Sequence, residues 1–202
     1  MRTTKAWPSL LLALALAVPA LAAPQDKPMD DHAKMMSAET EAYMKAATPG
    51  APHERLAKMA GHWTTQVKMW MEPGKPAMES TGTLDAQMVL GGRYLETIHK
   101  NQTMGMPFEG HELDGYDNVA GQYFGAWIDN MGTGLLPMTG SLDASGKVMT
   151  MTGEFMDPVK HKKMTFKAVS THIDDDTFHY EGYMVDGGKE TKVMEVTAKR
   201  AK

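Results

Sequence analysis

Two periods run along this chain, and they change over near residue 60. Between residues 29 and 47 the sequence holds Ala, Lys, Glu and Met without Gly or Pro. Met36, Thr40, Tyr43, Met44 and Ala47 recur there at helical spacing, which predicts a helix with one apolar face. Thr48-Pro49-Gly50 stops it, and residues 52–59 read as a second, short helix leading into Ala60-Gly61-His62-Trp63.

Beyond Trp63 the helical period is lost and apolar positions alternate. Val67, Met69 and Met71 fall on one face against Gln66, Lys68 and Trp70, and Met149 and Met151 flank Thr150. Turn chemistry punctuates the rest: Pro73-Gly74-Lys75-Pro76, Gly91-Gly92, Met104-Gly105, Asn118 to Gly121, and Asn130-Met131-Gly132. It continues with Asp143 to Gly146, Asp157-Pro158, Asp174-Asp175-Asp176 and Asp186-Gly187-Gly188. Each interval holds one strand and a short turn, so these turns predict about ten antiparallel strands in sequential hairpins. A flat sheet of that length leaves two edges unpaired, and closing it removes them. The expected fold is all-β, an up-and-down antiparallel barrel preceded by an N-terminal helix. Two packed sheets with the same connectivity are the alternative.

The N-terminus follows neither period. Arg2 and Lys5 precede a short apolar stretch at residues 10–18, and Pro19-Ala20-Leu21-Ala22 places small residues where a signal peptidase reads. The expectation is a signal peptide over residues 1–22, cut after Ala22, and a periplasmic or secreted product. A flexible lead and the helix then occupy 23–53, and the barrel 54–202. With no Cys in the chain, lipid attachment at the cut, disulfides, thiolate metal sites and cysteine nucleophiles are all excluded. Removing Arg2 and Lys5 takes the formal charge from −4 to −6, which argues against a nucleic-acid partner. No membrane span is expected once the signal is removed.

Several barrel segments carry a resemblance. They are Leu56 to Trp63, Gly91-Gly92-Arg93-Tyr94-Leu95-Glu96, Pro107-Phe108-Glu109-Gly110, and Gly115-Tyr116-Asp117-Asn118. Trp127 to Thr133, Asp175-Asp176-Thr177-Phe178, Glu181 and Lys192-Val193-Met194-Glu195 complete the series. In this order they resemble the domain of unknown function 1579 family over residues 54–200. The resemblance implies a lipocalin-like (calycin-like) barrel, exported in bacteria, with no established activity.

Catalytic and metal motifs are missing: there is no Gly-x-Ser-x-Gly elbow, phosphate-binding glycine loop or His-Glu-x-x-His. No catalytic residue, cofactor or metal is expected. A haem site, by analogy to nitrobindin-type barrels, finds no His in a demanding motif. The His residues at 32, 53, 62, 99, 111, 161, 172 and 179 are scattered and read as surface or strand polarity. Asp117, Asp129, Asp143 and Asp186 sit where turns use Asp. Twenty Met invite a copper(I) reading, with Met69/Met71, Met104/Met106 and Met149/Met151 each expected to share a strand face. Without Cys or clustered His, core filling by Met accounts for them better.

What remains is a set of aromatics and strand-embedded charges. Trp63, Arg93, Glu96, Tyr116, Trp127, Glu181, Tyr183 and Glu195 are the candidate lining of a ligand cavity, because a ten-stranded barrel encloses more space than side chains readily fill. The expected function is binding of a small apolar or aromatic molecule inside the barrel. The alternative is a ligand-free structural or stress-related envelope protein whose helix at 29–47 meets an unidentified protein partner. An acid–base pair such as Glu181 and Glu195 is the enzymatic alternative.

Overall fold

The structure, a computed structural model, describes residues 29–202, with the side chains of the first helix described from residue 37. The expected signal segment, its cut after Ala22 and the lead at 23–28 lie outside the described residues. Two units divide the chain, one ending at Ala42 and the other running Tyr43–Lys202. The described part of the first is helical.

Helix α1 spans Met29–Ala47 and α2 spans Ala51–Ala57. The break between them is the expected Thr48-Pro49-Gly50, where the Gly50 amide donates to His53 Nδ1 at 3.1 Å. Ten strands follow: β1 Gly61–Met69, β2 Met78–Val89, β3 Tyr94–Thr103, β4 Met106–Asp117, β5 Gln122–Asp129, β6 Leu136–Leu142, β7 Val148–Met156, β8 Lys163–Asp174, β9 Thr177–Asp186 and β10 Lys189–Arg200. Every strand pairs antiparallel with its sequence neighbours, and β1 also pairs with β10 from Trp63↔Arg200 to Met69↔Met194. The sheet is therefore a closed up-and-down barrel with no free edge, as alternation and turn spacing predicted, and not two packed sheets.

Each turn forms for a local reason. Met104 (φ 53°) and Gly105 (φ 76°) both take the left-handed region, the geometry that lets a two-residue loop match strand twist. Asp117 accepts from the amides of Val119 (2.7 Å) and Ala120 (3.0 Å), and Asp157 accepts likewise from Val159 and Lys160. These amide donors hold both carboxyls below the usual carboxylate range. Met104 is thus a turn residue, and Met71 lies past the end of β1 and is exposed. Of the three expected Met pairs only Met149 and Met151 share a strand face.

One end of the barrel is filled. Leu56 of α2 packs with Trp63, Leu84, Ala86, Leu95 and Phe178 in a single buried cluster. Burying a side chain such as Leu56 contributes about 1.5–3 kcal/mol, and α2 thereby covers this end. The Asn118 side-chain amide, in the β4–β5 turn, donates to the carbonyls of Ala46 and Thr48 at 2.9 Å each. That fixes the chain just before α2.

Candidate functional site

Register settles which residues face inward. Buried Trp63 pairs with Arg200 and Leu84, Leu84 with His99, His99 with Gly110, and Gly110 with Asp129. Residues directly opposite across antiparallel strands share a face, so one inner residue per strand fixes the rest. Continued round the ring, this parity puts Met138, Met151, Ala168, Tyr180 and Met194 inside as well.

Three of the expected lining residues are on this inner face. Trp63 sits at the filled end, edge-on to Phe178 at 5.2 Å, and its indole N–H donates to the Met59 carbonyl at 2.9 Å. Tyr116 is edge-on to Tyr123 at 4.9 Å. Trp127 faces the lumen further along, stacked with Phe108 at 6.3 Å and edge-on to His99 at 5.0 Å. Its N–H donates to Asp129 Oδ2 at 2.8 Å, which locks the ring. A Cβ on Gly110 would come within 2.4 Å of this ring, so the glycine is the recess in which Trp127 lies.

The others are elsewhere. Arg93, expected within a strand, stands instead in the β2–β3 turn, where its guanidinium donates to the Leu90 carbonyl at 3.1 Å. Glu96 lies on the outer face beside Gln87, which donates to it at 2.8 Å. Glu181, Tyr183 and Glu195 are outside too, each one residue out of phase with inner Tyr180, Gly182 and Met194. There Lys192 pairs with Glu181 and lies 3.3 Å from Glu195. Its ammonium holds the Glu181 carboxyl below the usual range. His179, Glu181 and Glu195 bring their ligand atoms within 4.8 Å of one another, a spacing suited to a metal ion. Lys192 already supplies a cation to two of them, which leaves little reason for a metal there.

The lumen contains polar groups that sequence reasoning did not select: His99, Glu112, Asp114 and Tyr180. Asp114 is enclosed by protein, yet part of its surface is accessible and faces the lumen. Its Oδ1 has no hydrogen-bond partner and packs where a Cβ on Gly125 would stand, 2.7 Å away. Burial first, and then the neighbouring Glu112 carboxylate, push its pKa well up. His99 Nε2 is likewise without a hydrogen bond, although Glu112 Oε2 is 3.5 Å away. Tyr180 comes from β9, which stands opposite β4 across the ring. Its phenol is pushed up by burial and then by Glu112 and Asp114, so the opposite walls feel one another's charge. Glu112, Asp114 and Tyr116 alternate along β4 from Gly110, and that period marks the inner face once Tyr116 is placed.

The chain belongs to a family of unknown function. Its family model, described as protein of unknown function (DUF1579), matches residues 48–200. The match begins just past α1 and takes in α2, the whole barrel and every lumen residue named above. Among solved structures the chain is similar to Rv2717c from M. tuberculosis, at 16% identity and a TM-score of 0.58, over 76% of this chain and 100% of that one. At that identity the likeness establishes a shared barrel and nothing of chemistry. No curated protein matches the chain.

Two depressions of about 400 and about 300 Å³ lie on the barrel wall. The first runs across β6, β7 and β8 around Thr139, Thr152 and Thr165, and the second across β2, β1 and β10 around Thr81, Gln66 and Thr197. These residues point outward, so both depressions are shallow features of the barrel wall and lie outside the lumen. Among the described residues no helix is long and apolar enough to cross a membrane.

Proposed function

We propose that this is an exported protein that holds a small apolar or aromatic molecule in the lumen of its barrel. The observation that carries the reading is Asp114 Oδ1, a buried polar atom without a hydrogen-bond partner on an inner face that also carries His99, edge-on to Trp127, and Phe108 stacked on the same indole. A buried polar atom left without a partner costs roughly 1–3 kcal/mol. Apolar walls with a few convergent polar groups are the usual make-up of a small-molecule site. Native mass spectrometry of the protein isolated from the cell envelope is expected to show a co-purifying small molecule. An empty protein that also fails to shift its melting temperature with lipids, haem or flavonoids would remove the basis for the reading.

Export rests on the N-terminal sequence, with Arg2 and Lys5 ahead of the apolar run and Ala20 and Ala22 at the cut. N-terminal sequencing of periplasmic material is expected to begin at Ala23, and retention of the protein in the cytoplasm would end this part of the proposal.

A second reading has its own observation. Tyr43 and Met44, adjacent near the end of α1, are 75% and 64% exposed. An envelope protein that meets a partner through this helix accounts for them. Deleting residues 29–47 is then expected to leave the barrel folded and abolish a pull-down partner, and an unchanged pull-down counts against it.

A further inference from the structure

The inner face is unbalanced in charge. Glu112 and Asp114 lie two residues apart on β4, both directed inward, and Asp129 follows on β5. Among the described strands, the inner-face cations are Arg200, committed to Trp63 at the filled end, and Lys189, at the rim beside the β9–β10 turn. Neither neutralises Glu112 or Asp114; the basic group beside them is His99, whose Nε2 stands 3.5 Å from Glu112 Oε2, and no salt bridge from a Lys or Arg reaches either carboxyl. A like-charged pair in a site of low dielectric is unfavourable unless one carboxyl keeps its proton, the direction in which Asp114 is pushed, or a counter-charge arrives.

We propose that the lumen selects a small molecule carrying a protonated amine on a flat apolar body, with the ammonium set against Glu112 and Asp114 and the flat body against Trp127. The inference rests on the ligand-binding reading above and adds the chemical class. Three features favour it. Asp114 has an unpartnered oxygen and a neighbouring acid, and a cation relieves both. Trp127, held in place by Asp129 and the recess at Gly110, offers a fixed aromatic surface on which a flat apolar body can lie. Tyr180, from the opposite wall, supplies a hydroxyl oxygen able to accept from an ammonium.

A matched set of indoles separates this from plain lumen binding. Tryptamine is the cation, tryptophol its neutral counterpart and indole-3-propionate the anion. Calorimetric titration of the purified protein at neutral pH is expected to rank them in that order, with tryptamine at least tenfold tighter than tryptophol. Asp114→Asn and Glu112→Gln, each checked for an intact barrel by circular dichroism, are expected to shrink the preference several-fold. Equal binding of tryptamine and tryptophol overturns the charge selection and leaves the lumen reading standing. Tighter binding of tryptophol or the anion overturns it too, and points to a protonated Asp114 donating to a ligand oxygen. The wild-type ranking decides the matter even if a variant fails to fold. Absence of binding by all three overturns the amine proposal, and the lumen reading is then decided by the co-purification and melting measurements above.

Discussion

The Arg200 guanidinium lies 4.1 Å from the centre of the Trp63 ring, its register partner across the β1–β10 seam. The same group donates to the carbonyls of Ala60 (2.8 Å), Lys58 (2.8 Å) and Asp175 (3.1 Å). One side chain thus joins the last strand, the first strand, the segment after α2 and the β8–β9 turn. Gly61, at φ 132°, makes room for it, since a Cβ there would stand 2.6 Å from Arg200 Nη1. The position at which the barrel closes is also the position at which its filled end is sealed.

Arg200→Ala is therefore expected to destabilise the protein by about 2–4 kcal/mol, from the lost cation–π contact and the carbonyls left without donors. Urea unfolding followed by Trp fluorescence measures it. Arg200→Lys is expected to recover less than half, because an ammonium cannot span the same carbonyls while stacked on the ring. A loss below 0.5 kcal/mol (about the scatter of an ordinary surface change) would show that the seam does not depend on this contact.

Gly110→Ala tests the recess under Trp127. The new methyl would meet the ring at 2.4 Å, and Asp129 resists its displacement. Overpacking of this kind costs about 1–3 kcal/mol, and the fluorescence of Trp127 is expected to shift with it. If neither stability nor emission changes, the indole does not occupy the recess.

The architecture was legible because its signals are local. Turn residues at nine places and a period of two between them dictate strand number and order, and closure follows from the edges. The lumen was less legible because facing is a matter of phase. Tyr180 and Glu181 are neighbours in β9, yet one faces the lumen and the other pairs with Lys192 outside. Nothing within the segment Phe178 to Tyr183 distinguishes those roles, since both faces carry aromatic and polar residues. The ambiguity is equal around β3 and β4, where nothing within the segments separates the turn residue Arg93 and outer Glu96 from inner His99 and Asp114. Trp63 and Trp127 were recognisable because a large ring is poorly tolerated outside a barrel unless something covers it. His99, taken as ordinary strand polarity, owes its lumen position to pairing with Leu84 and Gly110, a relation between strands that no single segment displays.

Asp114 imposes a distinctive pH dependence. Its pKa is well above the ordinary carboxylate value in the folded protein, so the folded state binds this proton more tightly than the unfolded chain. Its contribution to stability is greatest below the unfolded pKa, near 4, and is lost as pH rises through the raised folded value, with a slope of up to about 1.4 kcal/mol per pH unit. Glu112 and Tyr116 on the same strand, His99 on β3, Tyr123 and Asp129 on β5 and Tyr180 across the lumen are titratable groups of the same inner face, and Glu112 is the charge that acts on Asp114 most directly. The turn carboxylates Asp117, Asp143 and Asp157 act in the opposite sense: their pKa values are lowered, chiefly by amide donors, and their contribution is lost as pH falls. The comparison is therefore made as a difference between proteins. Asp114→Asn is expected to gain stability relative to the wild type as pH rises from 4 to 8. A difference independent of pH would mean that Asp114 titrates as an exposed acid.

Methionine oxidation reads the accessibility of the lumen directly. Peroxide transfers one oxygen to each thioether and leaves water, at a rate set mainly by access. Met104, in the β3–β4 turn, is 52% exposed, and Met106, which opens β4, is 47% exposed. Met138 and Met164 are inside and nearly sealed, at 7% and 5%. Met149, Met151 and Met194 form a third class, inward-facing but only half-buried. Peptide mass mapping after mild peroxide is expected to give the order rim, then lumen, then core, with Met104 and Met106 ahead of Met149 and Met194. Equal rates along the chain would contradict the barrel as a barrier, and equal rates for Met151 and Met164 would mean that the lumen is packed shut. A ligand adds a second comparison within the same experiment. Saturating tryptamine is expected to slow oxidation of Met151, which lies 3.4 Å from the Cβ position of Gly125 beside Asp114, and to leave Met104 unchanged. Protection of both together would place the amine at the rim instead of against the carboxyls of β4.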